Sequence, residues 1–417
     1  MKAILYQVTP LGWATCKWLS AFWPGCRRSR LAGLSMREVP QPTLPTDEWV
    51  LLRTLLGGLC GTDLAILAQK QPPDSILQAF CSMPMYLGHE NVAVVEAVGP
   101  DVDNDWLGCR VCVEPTLNCR VRGIDPPCRL CRLGTGGTCE NFGAAGVGAA
   151  GLPAGTSIGY NNRTGGSFSE FFVAHHSQLV AVPDELSDSQ ALLTDPLACA
   201  LHAVLRADLS AARQIAVIGA GMMGLATLAC LRATGYTGRI EAVEPARCLE
   251  GLARQFGADS FFSLPPRKAD RFDIIAKATG SRVVRSRFGN RMLAGGYDVL
   301  FDCVGTDRCF QECLSWAAPG GQVVLVGTSH GGHIDLTPLW FKELRLIGAY
   351  GRGMESYHGR RVETYRLVHE MMRAGALKVG QLVTHTFAPA DYRVALEVAM
   401  DKAANGAVKV ALDFRAK

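Results

Sequence analysis

Residues 214–244 read QIAVIGAGMMGLATLACLRATGYTGRIEAVE, and this stretch decides the fold. The apolar run 215–218 is long enough for one buried strand. Gly219, Gly221 and Gly224 follow in G-x-G-x-x-G spacing and open a helix-forming run through Met222 and Met223 that ends at Gly235. A second strand, 240–243, carries Glu244 at its tip. The first glycine permits the tight turn, the second lets a pyrophosphate approach the backbone, and the third lets helix and strand pack closely. The helix N-terminus then turns its N–H groups and positive dipole end towards phosphates. A carboxylate at the end of the second strand suits the ribose hydroxyls of an adenosine and repels a 2′-phosphate. The stretch therefore predicts a dinucleotide site for NAD, built from Gly219, Gly221, Met222, Met223, Gly224 and Glu244. Arg247, three residues on, keeps NADP open as the less favoured cofactor.

A chain of 417 residues is long for a single core, and two domains are expected. Hydrophobic residues make up 48% and charged residues 19%, a globular composition. The net charge of +4, with no block of Lys and Arg, argues against a nucleic-acid partner. Sixteen cysteines are scattered through apolar runs and one dense cluster, and no secretory leader is evident at 1–6, which reads as a strand. That usage points to a reducing cytoplasm, with some cysteines on metal and most buried as small apolar residues. Cys109, Cys112, Cys199, Cys230 and Cys303 belong to the second group. No run of eighteen apolar residues exists to span a membrane.

Upstream of the glycine turn, residues 10–34 interleave Trp13, Trp18, Phe22 and Trp23 with Lys17, Arg27, Arg28 and Arg30. The expectation is an insertion that packs its aromatics on its own domain; a membrane surface, pocket lid or subunit contact are the alternatives. Strands are expected at 49–56 and in 86–99, and helix at 186–205. Downstream the pattern stays α/β: helix at 249–256, strands at 297–304, 322–326 and 344–349, helix at 361–373, and terminal strands at 381–387 and 408–414. The arginine-rich 263–296 has no clear element.

Cys60, His89 and Glu90 are the chemically loaded residues of the first half. A thiolate, an imidazole and a carboxylate suit zinc, which favours tetrahedral N/S/O sites. Asp63 is placed to accept the second N–H of His89, and the Thr62 hydroxyl to relay a substrate proton.

The stretches GLCGTDLAIL (58–67), YLGHENVAVVEAVG (86–99), TDPLACALHAV (194–204), VIGAGMMG (217–224) and LVTHTFAPADYRVAL (382–396) resemble the zinc-dependent medium-chain alcohol dehydrogenases, nearer the polyol and threonine dehydrogenase branch. The likeness covers nearly the whole chain. It implies an α/β protein with a GroES-like β-rich catalytic domain (1–184), a Rossmann doubly wound parallel-sheet domain (185–350), and a C-terminal return to the catalytic domain (351–417), with the active site in the cleft. It implies that Cys60, His89 and Glu90 hold a catalytic zinc and that Asp195, which matches the acidic residue the polyol branch carries before Pro-Leu, joins them on that zinc, directly, through water, or one layer further out. Ala65 departs from the family, where a histidine often continues the proton relay.

The cluster 119–139 resembles the family's structural-zinc lobe. Cys128, Cys131 and Cys139 match three ligands in spacing. The fourth falls at Asp125, which is not a thiol, so either Cys119 loops back or Asp125 serves. The expected activity is reversible oxidation of a secondary or polyol-type alcohol to a carbonyl with NAD or NADP, by a homodimer or homotetramer. A zinc-free quinone or enone reductase of the same fold, and a non-catalytic nucleotide-binding redox sensor, are the competing expectations.

Overall fold

The computed structural model describes residues 1–70, 75–328 and 332–415, and divides into two units. One comprises Met1–Asp195, Arg352–Arg373 and Lys378–Lys417; the other comprises Pro196–Gly351 and Ala374–Leu377. The chain thus leaves the first unit at Asp195 and re-enters it at Arg352.

The second unit is built on a six-stranded parallel sheet. Strands Ser260–Phe262, Arg239–Val243, Gln214–Ile218, Tyr297–Asp302, Ala317–Leu325 and Arg345–Gly348 stand side by side in that order. Strand Gln214–Ile218 is the one from which the chain order runs outwards both ways, so the crevice beyond its C-terminal end is where a doubly wound sheet binds its ligand. Its residues are apolar because both faces are covered: Ile215, Ala216 and Val217 are fully buried. The arginine-rich stretch without a clear element contains a helix, Lys268–Thr279, and a short hairpin, Val283–Arg285 with Arg291–Leu293. Only Phe272, Ile275 and Ala276 of that helix are buried, so its apolar face is too narrow to stand out against the arginines.

The first unit is organised by a long strand, Trp49–Gly58. It pairs antiparallel with Glu90–Val98, Phe171–His175 and Lys409–Asp413. The sheet runs on through Arg110–Val113 to Leu179–Ala181 at one side and to Val383–Phe387 at the other. A core of Trp49, Leu52, Val95, Val111, Leu117, Ile158 and Phe172 fills one face. Register matters more than core for the site. Gly58 pairs with Glu90 and Ala411 pairs with Gly58, so the end of one strand, the start of a second and the middle of a third meet at one point of the sheet.

The 10–34 segment departs from the expectation. Thr9 caps a helix, Pro10–Leu19, and two 3-10 turns follow, Pro24–Arg28 and Arg30–Ala32. Its interior is only Cys16, Cys26 and Ala32 with half-buried Leu19. Trp18, Phe22 and Trp23 remain 67%, 79% and 53% exposed, because so small an interior offers them no surface to cover. No helix among the described residues is long and apolar enough to cross a membrane.

Candidate functional site

Two strand ends assemble the first cluster. Cys60 follows Trp49–Gly58 and begins the helix Gly61–Leu67; His89 and Glu90 open the strand Glu90–Val98. Ligand atoms of Cys60, His89 and Glu90 lie within 4.8 Å of one another. The glycine at 58 has a steric reason: a Cβ there would lie 2.3 Å from Glu90 Oε2, so the glutamate side chain folds across bare backbone. The donor set fits zinc, for it offers a soft sulfur, an imidazole and a carboxylate in a buried pocket. Without a cation, His89 Nδ1 is buried and has no hydrogen-bond partner.

Surrounding charges sharpen that fit. Burial pulls the His89 pKa down, but the Cys60 sulfur, Asp63 and Asp195 pull it up harder, to about 10. The same negative field favours a divalent cation. Asp63 does not accept from His89 as expected. Its Oδ2 caps the helix by accepting from Cys60 N–H at 3.1 Å, and its Oδ1 accepts from Tyr160 O–H at 3.1 Å. The helix start claims the carboxylate because orphan N–H groups there need an acceptor. Thr62 Oγ1 lies 3.8 Å from Cys60 Sγ and is half-exposed.

Lys409 and the partners of Asp195 escaped sequence reasoning. Lys409 Nζ reaches both oxygens of Glu90, at 2.7 and 2.5 Å, and also donates to Leu59 O at 3.2 Å. A lone lysine in the apolar run AVKVALDF (407–414) was the available signal, since a buried lysine needs a partner. Asp195, expected at the catalytic zinc, lies outside the 4.8 Å group. Its Oδ1 accepts from Tyr365 O–H at 2.6 Å and pairs with Arg352 at 3.0 Å. Burial alone would raise its pKa, but Arg352, His89 and Tyr365 hold the carboxyl below its usual range. Arg352 also pairs with Glu114 at 3.0 Å.

The second cluster gathers Cys119, Cys128, Cys131 and Cys139, whose sulfurs lie within 4.8 Å of one another; Asp125 is not among them. A one-turn helix, Cys119–Arg122, turns back at Gly123 with φ +65° and so returns Cys119 to the loop. Backbone N–H groups of Cys128, Cys131 and Asn141 point at Cys119, Cys128 and Cys139 sulfur, at 3.3–3.4 Å. The Asn141 amide reaches Cys119 Sγ at 3.1 Å. Burial works against ionising Cys128, yet the backbone N–H groups of Glu140 and Cys131, with contacts from the Cys131 and Cys119 thiols, bring its thiol down to about 7. Four convergent thiols with N–H support suit a closed structural zinc. Of the cysteines expected in the core, Cys112 and Cys230 are buried, and Cys109, Cys199 and Cys303 are half-buried.

A third group, Glu48, His175 and His176, meets the same distance limit. There, His175 Nδ1 accepts the Ser177 N–H at 3.1 Å, which leaves the ring proton on Nε2, the nitrogen that faces Glu48 at 3.5 Å.

In the nucleotide unit the three glycines do what their spacing requires. Gly219 has φ +91°, Gly221 caps the helix Met222–Ala233, and a Cβ on Gly224 would lie 1.7 Å from Gly219 O. Met222 and Met223 form the first turn of that helix. Glu244 reaches back to the turn: its Oε2 accepts from Ala220 N–H at 2.9 Å and its Oε1 from Ala246 N–H at 3.0 Å. Each oxygen keeps a lone pair for a further donor. Arg247 begins a 3-10 turn and is exposed.

Comparison with known proteins places these sites in context. A model described as the alcohol dehydrogenase GroES-like domain matches residues 46–184, and one described as zinc-binding dehydrogenase matches residues 223–366. The chain is 30% identical to L-threonine 3-dehydrogenase of Anaeromyxobacter dehalogenans over 390 residues, 93% of this chain and 97% of that one. It is 28% identical to L-idonate 5-dehydrogenase of Vitis vinifera over 356 residues, 85% and 84% of the two chains. An alcohol dehydrogenase from E. coli CFT073, solved with NADH, shares the fold with a TM-score of 0.71 at 20% identity, over 99% of each chain.

Proposed function

This chain belongs to the zinc-dependent medium-chain alcohol dehydrogenases, in the polyol and threonine dehydrogenase branch, and from that we propose that Cys60, His89 and Glu90 hold its catalytic zinc. It is an NAD(P)-dependent oxidoreductase that moves a hydride between a secondary or polyol-type alcohol and the nicotinamide. When bound, zinc supplies Lewis acidity that lowers the hydroxyl pKa of an alcohol, and the dinucleotide supplies the hydride acceptor.

The chain's own residues orient and neutralise. Lys409 balances Glu90, so the carboxylate offers an oxygen without adding a full uncompensated charge to the pocket. Arg352 and Tyr365 hold Asp195 ionised nearby, where it acts as a fixed charge rather than a direct ligand. Thr62 takes the substrate proton at Oγ1. Because residue 65 is alanine, the proton passes from there to water instead of to an imidazole. Gly219, Gly221 and the first turn at Met222 and Met223 receive the pyrophosphate, and Glu244 the adenosine ribose, with NAD preferred to NADP. Cys119, Cys128, Cys131 and Cys139 hold the structural zinc. We assign the protein to the cytoplasm, in keeping with cysteines that serve metal sites or apolar interior, and to a homodimer or homotetramer as the resemblance implies.

The observation that carries this reading is the convergence of the Cys60, His89 and Glu90 ligand atoms at one junction of strands. A zinc-free quinone or enone reductase, or a redox sensor, has no use for that set. Metal analysis and an alcohol screen with NAD on wild type and Cys60→Ser test it. Wild type should carry two zincs and turn over vicinal diols or other secondary alcohols; the variant should carry one and turn over none. Equal metal in both would overturn the assignment.

A further inference from the structure

Cys16 and Cys26 lie outside both metal clusters, and no role above uses them. Their sulfurs are 3.3 Å apart, closer than either could come to an unrelated atom of its size without a directed contact, and neither residue has any exposed surface. They sit on two elements, the helix Pro10–Leu19 and the turn Pro24–Arg28, and supply most of the interior of the 10–34 segment. The ten-residue span from one to the other carries the exposed Trp18, Phe22 and Trp23. A loop that leaves its aromatics in water has little apolar burial to hold its shape, and a covalent staple adds the constraint that burial does not supply.

We propose that Cys16 and Cys26 are a dithiol that a low-molecular-weight disulfide oxidises to an intramolecular disulfide bond, closing the loop that displays Trp18, Phe22 and Trp23. In the first step one cysteine loses its proton, attacks a sulfur of the oxidant and expels one thiolate. In the second, the other cysteine loses its proton, attacks the cysteine sulfur of the mixed disulfide and expels the second thiolate. The net change is two cysteine thiols and one disulfide giving one protein disulfide and two small thiols. Burial comes first among the causes that push the Cys16 thiol up to about 12, with the Cys26 contact next. Exchange therefore proceeds through opening of the loop and is slow in the closed one.

The loop is tied to the helix that presents Thr62. Lys17 Nζ donates to Gln69 O at 2.8 Å, and Gln69 Nε2 donates to Trp13 O at 2.9 Å, just beyond the end of the helix Gly61–Leu67. At its other end Arg28 pairs with Glu397 at 3.2 Å. A staple between residues 16 and 26 makes these two ties parts of one rigid piece.

The test uses the full-length, zinc-loaded protein equilibrated across a series of reduced and oxidised glutathione ratios. Samples are acid-quenched, alkylated in denaturant, digested with trypsin and weighed. Cleavage after Lys17 separates the two cysteines, so the disulfide appears as the peptide ending at Lys17 joined to the peptide 18–27. That species is two hydrogens lighter than the reduced pair and is lost on adding dithiothreitol. Its growth with oxidant, together with slower tryptic cutting of the native loop, is the expected result. Cys16 and Cys26 both alkylated at every ratio would overturn the proposal. So would either one joined to a different cysteine.

Discussion

Lys409 and Glu90 form a buried ion pair in which the ammonium touches both carboxylate oxygens, at 2.7 and 2.5 Å, although 319 residues of chain separate them. Both side chains are almost fully buried. The pair fixes where the Glu90 carboxylate stands, and so whether it can face the same point as Cys60 and His89.

Removing one partner of such a pair leaves a charge buried without compensation, which costs roughly 3–5 kcal/mol. Lys409→Met should therefore lower unfolding stability by about that amount in the metal-free protein, read from urea midpoints. Adding Glu90→Gln should recover much of the loss, because the orphaned charge goes with it. Zinc added to Lys409→Met should recover part as well, since a cation at the cluster gives Glu90 a new partner. A double variant as unstable as the sum of the two single ones would dissolve the coupling.

How much of this was legible in the sequence depends on how local each interaction is. The glycine turn was, because the positive φ of Gly219 is a property of the turn itself and the clash a Cβ on Gly224 would make is with Gly219 O, in the same turn. Cys60, His89 and Glu90 were legible by residue type and by family resemblance. Their convergence depends on the pairing of Gly58 with Glu90, a register that no periodicity declares. Lys409, Arg352 and Tyr365 come from the segment that returns to the first unit, so their partners lie too far along the chain for any spacing rule. The 10–34 segment misled for a different reason: aromatic residues normally predict burial, and here the surface they would cover is absent.

The four-thiol lobe makes a clean distinction between Cys119 and Asp125. Only Cys119 belongs to the converged group, and donors from Cys128 N–H and the Asn141 amide already point at its sulfur. Cys119→Ser should reduce bound zinc by one per chain, whereas Asp125→Asn should leave the count unchanged. Elemental analysis after gel filtration decides it, and loss of zinc from the Asp125 variant would reverse the assignment.

Glu244 occupies its oxygens with Ala220 N–H and Ala246 N–H while keeping lone pairs for a ribose. Glu244→Arg removes the acceptor and supplies a cation beside Arg247. Hydrogen bonds to charged groups contribute about 1.5–3 kcal/mol, so the ratio of kcat/KM for NAD over NADP should fall roughly tenfold to a hundredfold. An unchanged ratio would mean that the ribose is held elsewhere.

His369 sets an acid limit on stability that is independent of the cysteines. Burial lowers its pKa from 6.5 to about 4, and Thr194 Oγ1 lies 2.9 Å from Nε2. The unfolded chain binds this proton at higher pH than the folded one does. Stability from the neutral imidazole is therefore complete above pH 6.5, and it is lost as pH falls through the window between the two values. A gap of that size corresponds to about 3 kcal/mol at most. His175 is lowered to about 4 as well, by burial first and then by His176, and adds a slope of the same sign. Urea midpoints measured across this window should fall with acidity in wild type. They should fall less steeply in His369→Gln, which cannot take up the proton and can still hydrogen-bond Thr194. Equal slopes in the two proteins would mean that the fold does not lower the proton affinity of His369 within this window.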